Sequence, residues 1–441
     1  MKNFVIVGNS AAAVACIEAI RQKDSVSKIT VISDENYSSY CRCLISYYLA
    51  GDVKEDKLVY RGPDFYRENN VELILNKKVE RVDPKKNRVI LEDKNQIGYD
   101  ELLIATGARP KFPETKGIKR KGVFGFRTLK DAKDIDNMLA VTKTACVLGG
   151  GLIGLKAAYA LKKRNIEVKV IVKSGQVLSQ MLDAESAAMV KKRLQEHGVE
   201  VMLGEDAAEI IGEGDVKAVK LESGKVFGCS LVIVAKGVAP NIDLIKETSV
   251  EVNEGILANN LLQTSVANIY AAGDVCENFD LTSGKAAVNA LWPIAVEQGK
   301  AAGANMSGEK LEYGGSLGMN SLEFFGLAII SLGIYKVSPV RNIAQQDGNA
   351  GISNGVSPDQ RSAVEEFKFH DPKSNLYKKL ILKNKVLIGA ILVGDIKNSG
   401  VFLRLIREKI NVSPFQDKML QENFGFPDII EFVRDKEKMY V

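Results

Sequence analysis

The sequence predicts an α/β chain: two Rossmann-like dinucleotide-binding domains and a C-terminal α+β interface domain. Three observations predict it. The stretches KNFVIVGNSAAAVACIEAIR, at the start, and TACVLGGGLIGLKAAYALKK, from Thr144, each read as a buried strand, a turn of small residues and an apolar helix. Two later runs, YDELLIATGARP and SLVIVAKGVAPN, read as buried strands that end on glycine. From about residue 313 the composition changes, and alternating strands at 377–383 and 386–394 precede a helix at 399–410.

In a strand–turn–helix of this kind, small residues let the backbone swing into the helix and approach a pyrophosphate, which sits on the free amides of the helix N-terminus. The second copy has Gly149, Gly151 and Gly154; the first has Gly8, then Ser10 and Ala13 where glycines are usual. Either copy alone is weak evidence, because glycine-rich turns are common in α/β proteins, but both in one chain point to two nucleotides held face to face.

The elements follow in order. Residues 3–7 read as strand and 11–22 as helix. After the strand Lys28–Ile32 come Asp34 and Glu35; an acid about 20 residues past such a turn bonds ribose hydroxyls, and both stay candidates. The segment NYSSYCRCLISYYLAGD crowds tyrosines around Cys41, Arg42 and Cys43. A thiol beside a guanidinium is biased towards thiolate, the form that does redox chemistry. Residues 71–76, 79–83 and 88–92 read as strands of a small antiparallel piece. Ala105, Thr106 and Gly107 end the next buried strand, where the backbone can touch a nucleotide and cross to the following domain. Residues 111–127 read as a crossing linker. Gly237, Pro240 and Asn241 end the later strand, and NIYAAGDV gives strand, turn and Asp274. Residues 335–375 read as loop-rich. The domains divide as 1–111 with 243–312, 112–242, and 313–441.

Composition narrows the class. A hydrophobic share of 46% over 441 residues allows sizeable cores, and a net charge of +5, spread along the chain, implies no nucleic-acid partner. The chain starts directly in a strand, so no signal peptide is expected, and the longest apolar runs are too short for a membrane span. The six cysteines show no CxxC and no metal-type spacing, so no metal centre is expected; a reducing, cytoplasmic setting follows.

VGNSAAA, ATGARP, GGGLIGLKAA, AKGVAPN and AAGDV occur here in an order and spacing that resemble the pyridine nucleotide–disulfide oxidoreductase class of two-dinucleotide flavoproteins. Within it the chain resembles NADH oxidases, coenzyme A-disulfide reductases, rubredoxin or ferredoxin reductases, and the flavin portion of nitrite reductases. The resemblance is strong over about residues 1–315. It implies FAD on the first unit, with Gly8, Ser10, Ala11, Ala12 and Ala13 at the pyrophosphate and Asp34 or Glu35 at the ribose. Arg42, Cys43, Val79, Ala105, Thr106, Gly107, Gly273, Asp274 and Trp292 would line the rest of that nucleotide, with Trp292 against the flavin. It implies NAD(P)H on Gly149, Gly151, Leu152, Ile153 and Gly154, with Val172, Lys173 and Gly237 alongside. It also implies a homodimer formed through the C-terminal domain.

Three positions bear on the reaction. Cys43 matches the single redox cysteine of oxidases and coenzyme A-disulfide reductases, and reads either as that centre or as a packing residue beside the flavin. Ala11 stands where peroxidases and many oxidases of the class carry a histidine, which counts against peroxide chemistry. The strand VKVIVKS ends in Val172 and Lys173 without the acid of NAD-selective members, which leans the second site towards NADPH while leaving both nucleotides open. Lys156 replaces a glutamate common in relatives. The leading expectation is an FAD-dependent NAD(P)H oxidoreductase that hands electrons to a separate small iron–sulfur carrier of the ferredoxin or rubredoxin type. The alternatives are Cys43-based reduction of a disulfide, persulfide or coenzyme A-disulfide, NADH oxidase activity, and a redox-sensing flavoprotein subunit.

Overall fold

Short apolar strands buried along nearly their whole length build two parallel sheets. Asn3–Val7 and Thr144–Leu148 are each covered from their second residue on, the pattern of central strands flanked by helices. In this computed structural model, which describes residues 1–336 and 364–437, the first sheet runs Ile269–Ala271, Glu101–Ile104, Asn3–Val7, Lys28–Ile32, Val71–Ile74. The second runs Val199–Leu203, Glu167–Val172, Thr144–Leu148, Leu231–Val234, Val123–Phe124. All pairings within these two sheets are parallel. In both, the strand before the turn lies at the centre with a later strand on each side of it; the edge strand Val123–Phe124 of the second sheet comes earlier in the chain. That reversal opens a crevice at the carboxyl ends of the strands, where ligands of such sheets bind.

The two units share more than their sheets. Each carries a three-stranded antiparallel piece: Val79–Asp83, Arg88–Leu91 and Gln96–Gly98 in one, Ala207–Ile211, Ala218–Leu221 and Val226–Gly228 in the other. Val71–Ile74 is not part of the antiparallel piece expected of it; it pairs parallel with Lys28–Ile32. The expected linker is partly structured, since Val123–Phe124 is an edge strand. The two crossings between the sheets are zipped together. Ala108–Pro110 pairs antiparallel with Val238–Pro240, Thr106 Oγ1 donates to the Asn241 carbonyl at 2.8 Å, and Asn241 Nδ2 donates to the Thr106 carbonyl at 2.9 Å.

The helix Ala11–Lys23 lies against the helix Trp292–Met306 at very short range, because the latter presents glycines. A Cβ on Gly299 would stand 2.1 Å from the Ala12 carbonyl oxygen, and one on Gly303 would stand 2.5 Å from that of Cys16. Contact with rigid backbone leaves no rotamer to adjust. Gly299→Ala is therefore expected to cost about 1–3 kcal/mol, read by chemical denaturation of the flavin-loaded protein; an unchanged midpoint would refute the close packing.

Two compact units result. One comprises Met1–Ser179 with Val190–Leu317; the other comprises Gln180–Met189 with Gly318–Val441. The second is an antiparallel sheet in the order Met319–Phe324, Leu327–Gly333, Val386–Val393, Leu376–Lys383, Val364–Asp371, with the helices Ser399–Arg407 and Phe426–Glu437. Part of the loop expected at 335–375 is thus strand: Val364–Asp371 alternates polar and half-buried residues along the sheet edge. Residues 337–363 of that expected loop lie outside the described residues. Among the described residues no helix is long and apolar enough to cross a membrane.

Candidate functional site

The two turns have one geometry. Gly8 has φ +115°, its amide donates to the Ile32 carbonyl at 2.8 Å, and a Cβ there would meet the Ala105 carbonyl oxygen at 2.1 Å. Gly149 has φ +126°, its amide donates to the Ile171 carbonyl at 2.9 Å, and a Cβ would meet the Ala235 carbonyl oxygen at 2.2 Å. Each glycine fills the place where three neighbouring strands end, a conformation and a space that L-residues rarely tolerate. The helices that follow begin at Ser10 and Gly151, and around Gly151 a Cβ would meet nothing within 4 Å, so its backbone is open to a ligand. The third positions differ. Ala13 is buried without strain, whereas a Cβ on Gly154 would press to 2.0 Å from the Gly149 carbonyl oxygen.

Around the first turn the charged groups converge. Arg42 places Nε 3.4 Å from Ser10 Oγ, donates from Nη1 to Tyr40 Oη at 2.9 Å, and forms an ion pair with Glu35. Tyr40 Oη donates in turn to Glu35 at 2.7 Å. Of the two acids at the end of Lys28–Ile32, Glu35 turns into this cluster and Asp34 is exposed. A guanidinium beside a helix N-terminus, with a carboxylate at the strand end, suits a pyrophosphate and a ribose. Asp274 pairs with Arg127, whose Nε donates to the Ala108 carbonyl at 2.6 Å. Gly273, with φ +79°, donates its amide to Gln298 Oε1 at 2.8 Å. Thr106 and Gly107 are half-buried at the crossing, and Ala11, Ala12, Val79 and Ala105 are buried. Trp292, at the start of its helix, packs edge-on against Tyr60 with ring centroids 4.9 Å apart.

The Cys-Arg-Cys segment differs from the expectation. Arg42 is directed to Glu35 rather than to a thiolate, so it does not activate Cys43. The Cys41 thiol is instead lowered to about 7, chiefly by its interaction with Cys43 and then by the amides of Cys43 and Leu44, against the effect of burial. The same interaction, with the charges of Cys41 and Asp274, raises the Cys43 thiol above the ordinary thiol range. Cys43 is exposed, and all six cysteines are free.

At the second turn, Leu152 is half-buried and Ile153 exposed at the helix start, and Gly237 has φ +94° at the neighbouring strand end. Val172 is buried, while Lys173 reaches out with Nζ 3.6 Å from Asp206. Asp206 also pairs with Lys236. Burial raises the Asp206 carboxyl, but Lys236 and the Ala207 amide outweigh it and hold it below its usual value. The acid missing from the end of Glu167–Val172 is thus supplied from beyond the next strand, which offsets the charge of Lys173. Arg127 and Asp206 carry no local motif, and it is the fold that brings them to the two turns.

Comparison with known proteins agrees with this geometry. Residues 2–299 match the model of the pyridine nucleotide-disulphide oxidoreductase family, and residues 351–410 match the rubredoxin NAD+ reductase C-terminal domain. The chain is 35% identical to an NADH oxidase of Methanocaldococcus jannaschii over 70% of this chain and 71% of that protein. It is 32% identical to the nitrite reductase [NAD(P)H] of Bacillus subtilis, over 93% of this chain and 48% of the other. It spans about half the length of that relative and of the B. subtilis assimilatory nitrate reductase electron transfer subunit. Among solved structures, an NAD-dependent persulfide reductase from A. fulgidus superimposes with a TM-score of 0.84 at 27% identity, covering 94% of this chain and 78% of that one. With a family match over most of its length, the chain belongs to the pyridine nucleotide-disulphide oxidoreductases, flavoproteins that use FAD and NAD(P)H.

Proposed function

We propose that the chain takes electrons from NAD(P)H through FAD to a separate small iron–sulfur electron carrier. The observation that carries this reading is the commitment of Arg42 to Glu35 and Tyr40, which leaves Cys43 without the guanidinium that would stabilise a thiolate nucleophile. Bound FAD supplies hydride acceptance and one-electron release. The residues supply the rest. Gly8, Ser10 and Arg42 hold the pyrophosphate, Glu35 the ribose, and Gly149, Gly151 and Gly154 the second nucleotide. The zipped crossings keep the two sheets in fixed relation across the crevice. The match of residues 351–410 to a rubredoxin reductase domain supports a protein acceptor.

A second reading, reduction of a disulfide or persulfide, is favoured by Cys41, whose thiolate is present above about pH 7 and lost below it. The two are separated by Cys41→Ser and Cys43→Ser. Carrier-type electron transfer predicts that both variants reduce ferricyanide and rubredoxin with NAD(P)H within about twofold of the parent, since one-electron exit from flavin needs no thiol. A tenfold or larger loss in either variant, together with half-maximal iodoacetamide labelling of Cys41 near pH 7, would transfer the assignment to sulfur chemistry.

A further inference from the structure

We infer that Lys156 is a positioning residue that makes the second site favour the reduced, neutral nicotinamide ring over the oxidised, cationic one. The inference deepens the proposed function and rests on its assignment of NAD(P)H to the second turn. Lys156 lies on the helix Leu152–Lys163, two residues past Gly154, and is only 8% exposed. Its Nζ donates to Tyr47 Oη at 2.9 Å, lies 4.6 Å from the centre of the Tyr47 ring, and lies 5.8 Å from that of Tyr159. Beside the two aromatic rings, the ring quadrupoles and the Tyr47 hydroxyl replace part of the hydration of the ammonium.

The position of that charge carries the argument. Tyr47 belongs to the helix Ile45–Ala50, which directly follows the turn Arg42–Leu44 with Cys43. The two helices are clamped at two further points near their ends: Arg164 Nη1 donates to the Leu49 carbonyl at 3.0 Å, and Lys163 pairs with Asp52; Arg164 also pairs with Asp136, on the helix Leu129–Leu139, at 2.6 Å. A nucleotide with its pyrophosphate on Gly151 has its adenosine towards the strand end at Val172 and Lys173. Its nicotinamide must therefore reach the other way, towards the elements that hold FAD. Of the contacts this helix makes with the segment after Cys43, that of Lys156 lies nearest the turn. A fixed cation there repels a cationic ring and leaves a neutral one unaffected, and in a partly desolvated place that difference is substantial. In turnover it expels NAD(P)+ once the hydride has left.

The test uses the flavin-loaded, oxidised protein and ligands that cannot react with it. Dissociation constants are measured calorimetrically for NAD(P)+, for its 1,4,5,6-tetrahydro form, which has a neutral ring and no hydride to give, and for ADP-ribose, which has no ring. The parent is expected to bind the tetrahydro form about tenfold more tightly than NAD(P)+. Lys156→Met and Lys156→Gln should tighten NAD(P)+ binding about tenfold and leave ADP-ribose unchanged, while Lys156→Arg retains the parent preference. Unchanged NAD(P)+ affinity in Lys156→Met overturns the inference, as does an equal change for ADP-ribose, which marks a merely structural residue. If the parent binds none of the three, the assignment of the second turn itself falls; ADP-ribose binding by the parent separates that failure from a failure of Lys156.

Discussion

Gly149→Ala is expected to raise the KM for NAD(P)H about 100-fold while leaving one FAD per chain. The expectation follows from two independent costs at one atom. At φ +126° an L-residue is strained by about 1–2 kcal/mol, and the new Cβ stands 2.2 Å from the Ala235 carbonyl oxygen. That oxygen belongs to the backbone at the end of Leu231–Val234, which pairs with Thr144–Leu148 and cannot rotate away. The turn must therefore shift, and with it the amides proposed to meet the pyrophosphate; about 1.4 kcal/mol per tenfold makes 100-fold a modest demand. The first turn shares none of this displacement, so flavin content is the internal control. Gly8→Ala should give the converse, loss of FAD, because its Cβ meets Ala105 in the same way. Steady-state kinetics and the flavin absorbance of the purified variants decide it, and a KM within threefold of the parent would refute the cradle.

What the sequence made legible was local. The small residues at Gly8, Ser10, Ala13 and Gly149, Gly151, Gly154 are spaced by the turn itself, so both strand–turn–helix units could be read from single stretches. The bounds of Asn3–Val7 and Lys28–Ile32 followed for the same reason, since a central strand must be apolar throughout. Pairing partners were not legible. Four residues such as Val71–Ile74 carry no mark that distinguishes a parallel edge from an antiparallel meander. Val364–Asp371 was read as loop because an exposed edge strand alternates polar residues with no apolar run. At the site, chemistry set by neighbours in sequence was misjudged when neighbours in space intervened. Arg42 lies beside Cys43 in the chain, yet Glu35 is the stronger partner, since a carboxylate takes up the guanidinium more favourably than a thiol does. Asp206 and Arg127 reach Lys173 and Asp274 only through the fold, and the Lys156–Tyr47 contact is likewise one that no local stretch announces.

Lys379→Met is expected to destabilise the C-terminal unit by about 3–5 kcal/mol, because it would strand a buried carboxylate. Lys379 and Asp183 are 4% and 10% exposed at their side chains and lie 3.5 Å apart, with Glu366 3.0 Å from the same ammonium. Asp183 is otherwise fully engaged: Ser186 Oγ donates to it at 2.6 Å and Tyr377 Oη at 2.5 Å. It belongs to Gln180–Met189, a segment far from the rest of this unit in the chain, which a further bond from Ser331 Oγ to the Met181 carbonyl, at 2.6 Å, also fastens. The pH dependence has a definite sign. Burial raises the Asp183 carboxyl, but Ser186, Tyr377 and Lys379 outweigh it and hold the folded value below the unfolded one. The stabilisation is therefore complete above the unfolded value, about 4, and is lost as pH falls through the lower folded value. Asp183→Asn should flatten that acid limb. Combined with Lys379→Met it should recover much of the single-variant loss, since an unpaired buried charge costs more than the pair contributes. Denaturation monitored by tryptophan-independent far-UV dichroism at pH 7 measures all four corners of the cycle, and a series descending from pH 4 to about pH 2 follows the acid limb. Strictly additive losses would mean that Lys379 and Asp183 are not coupled and that the segment is held by packing alone.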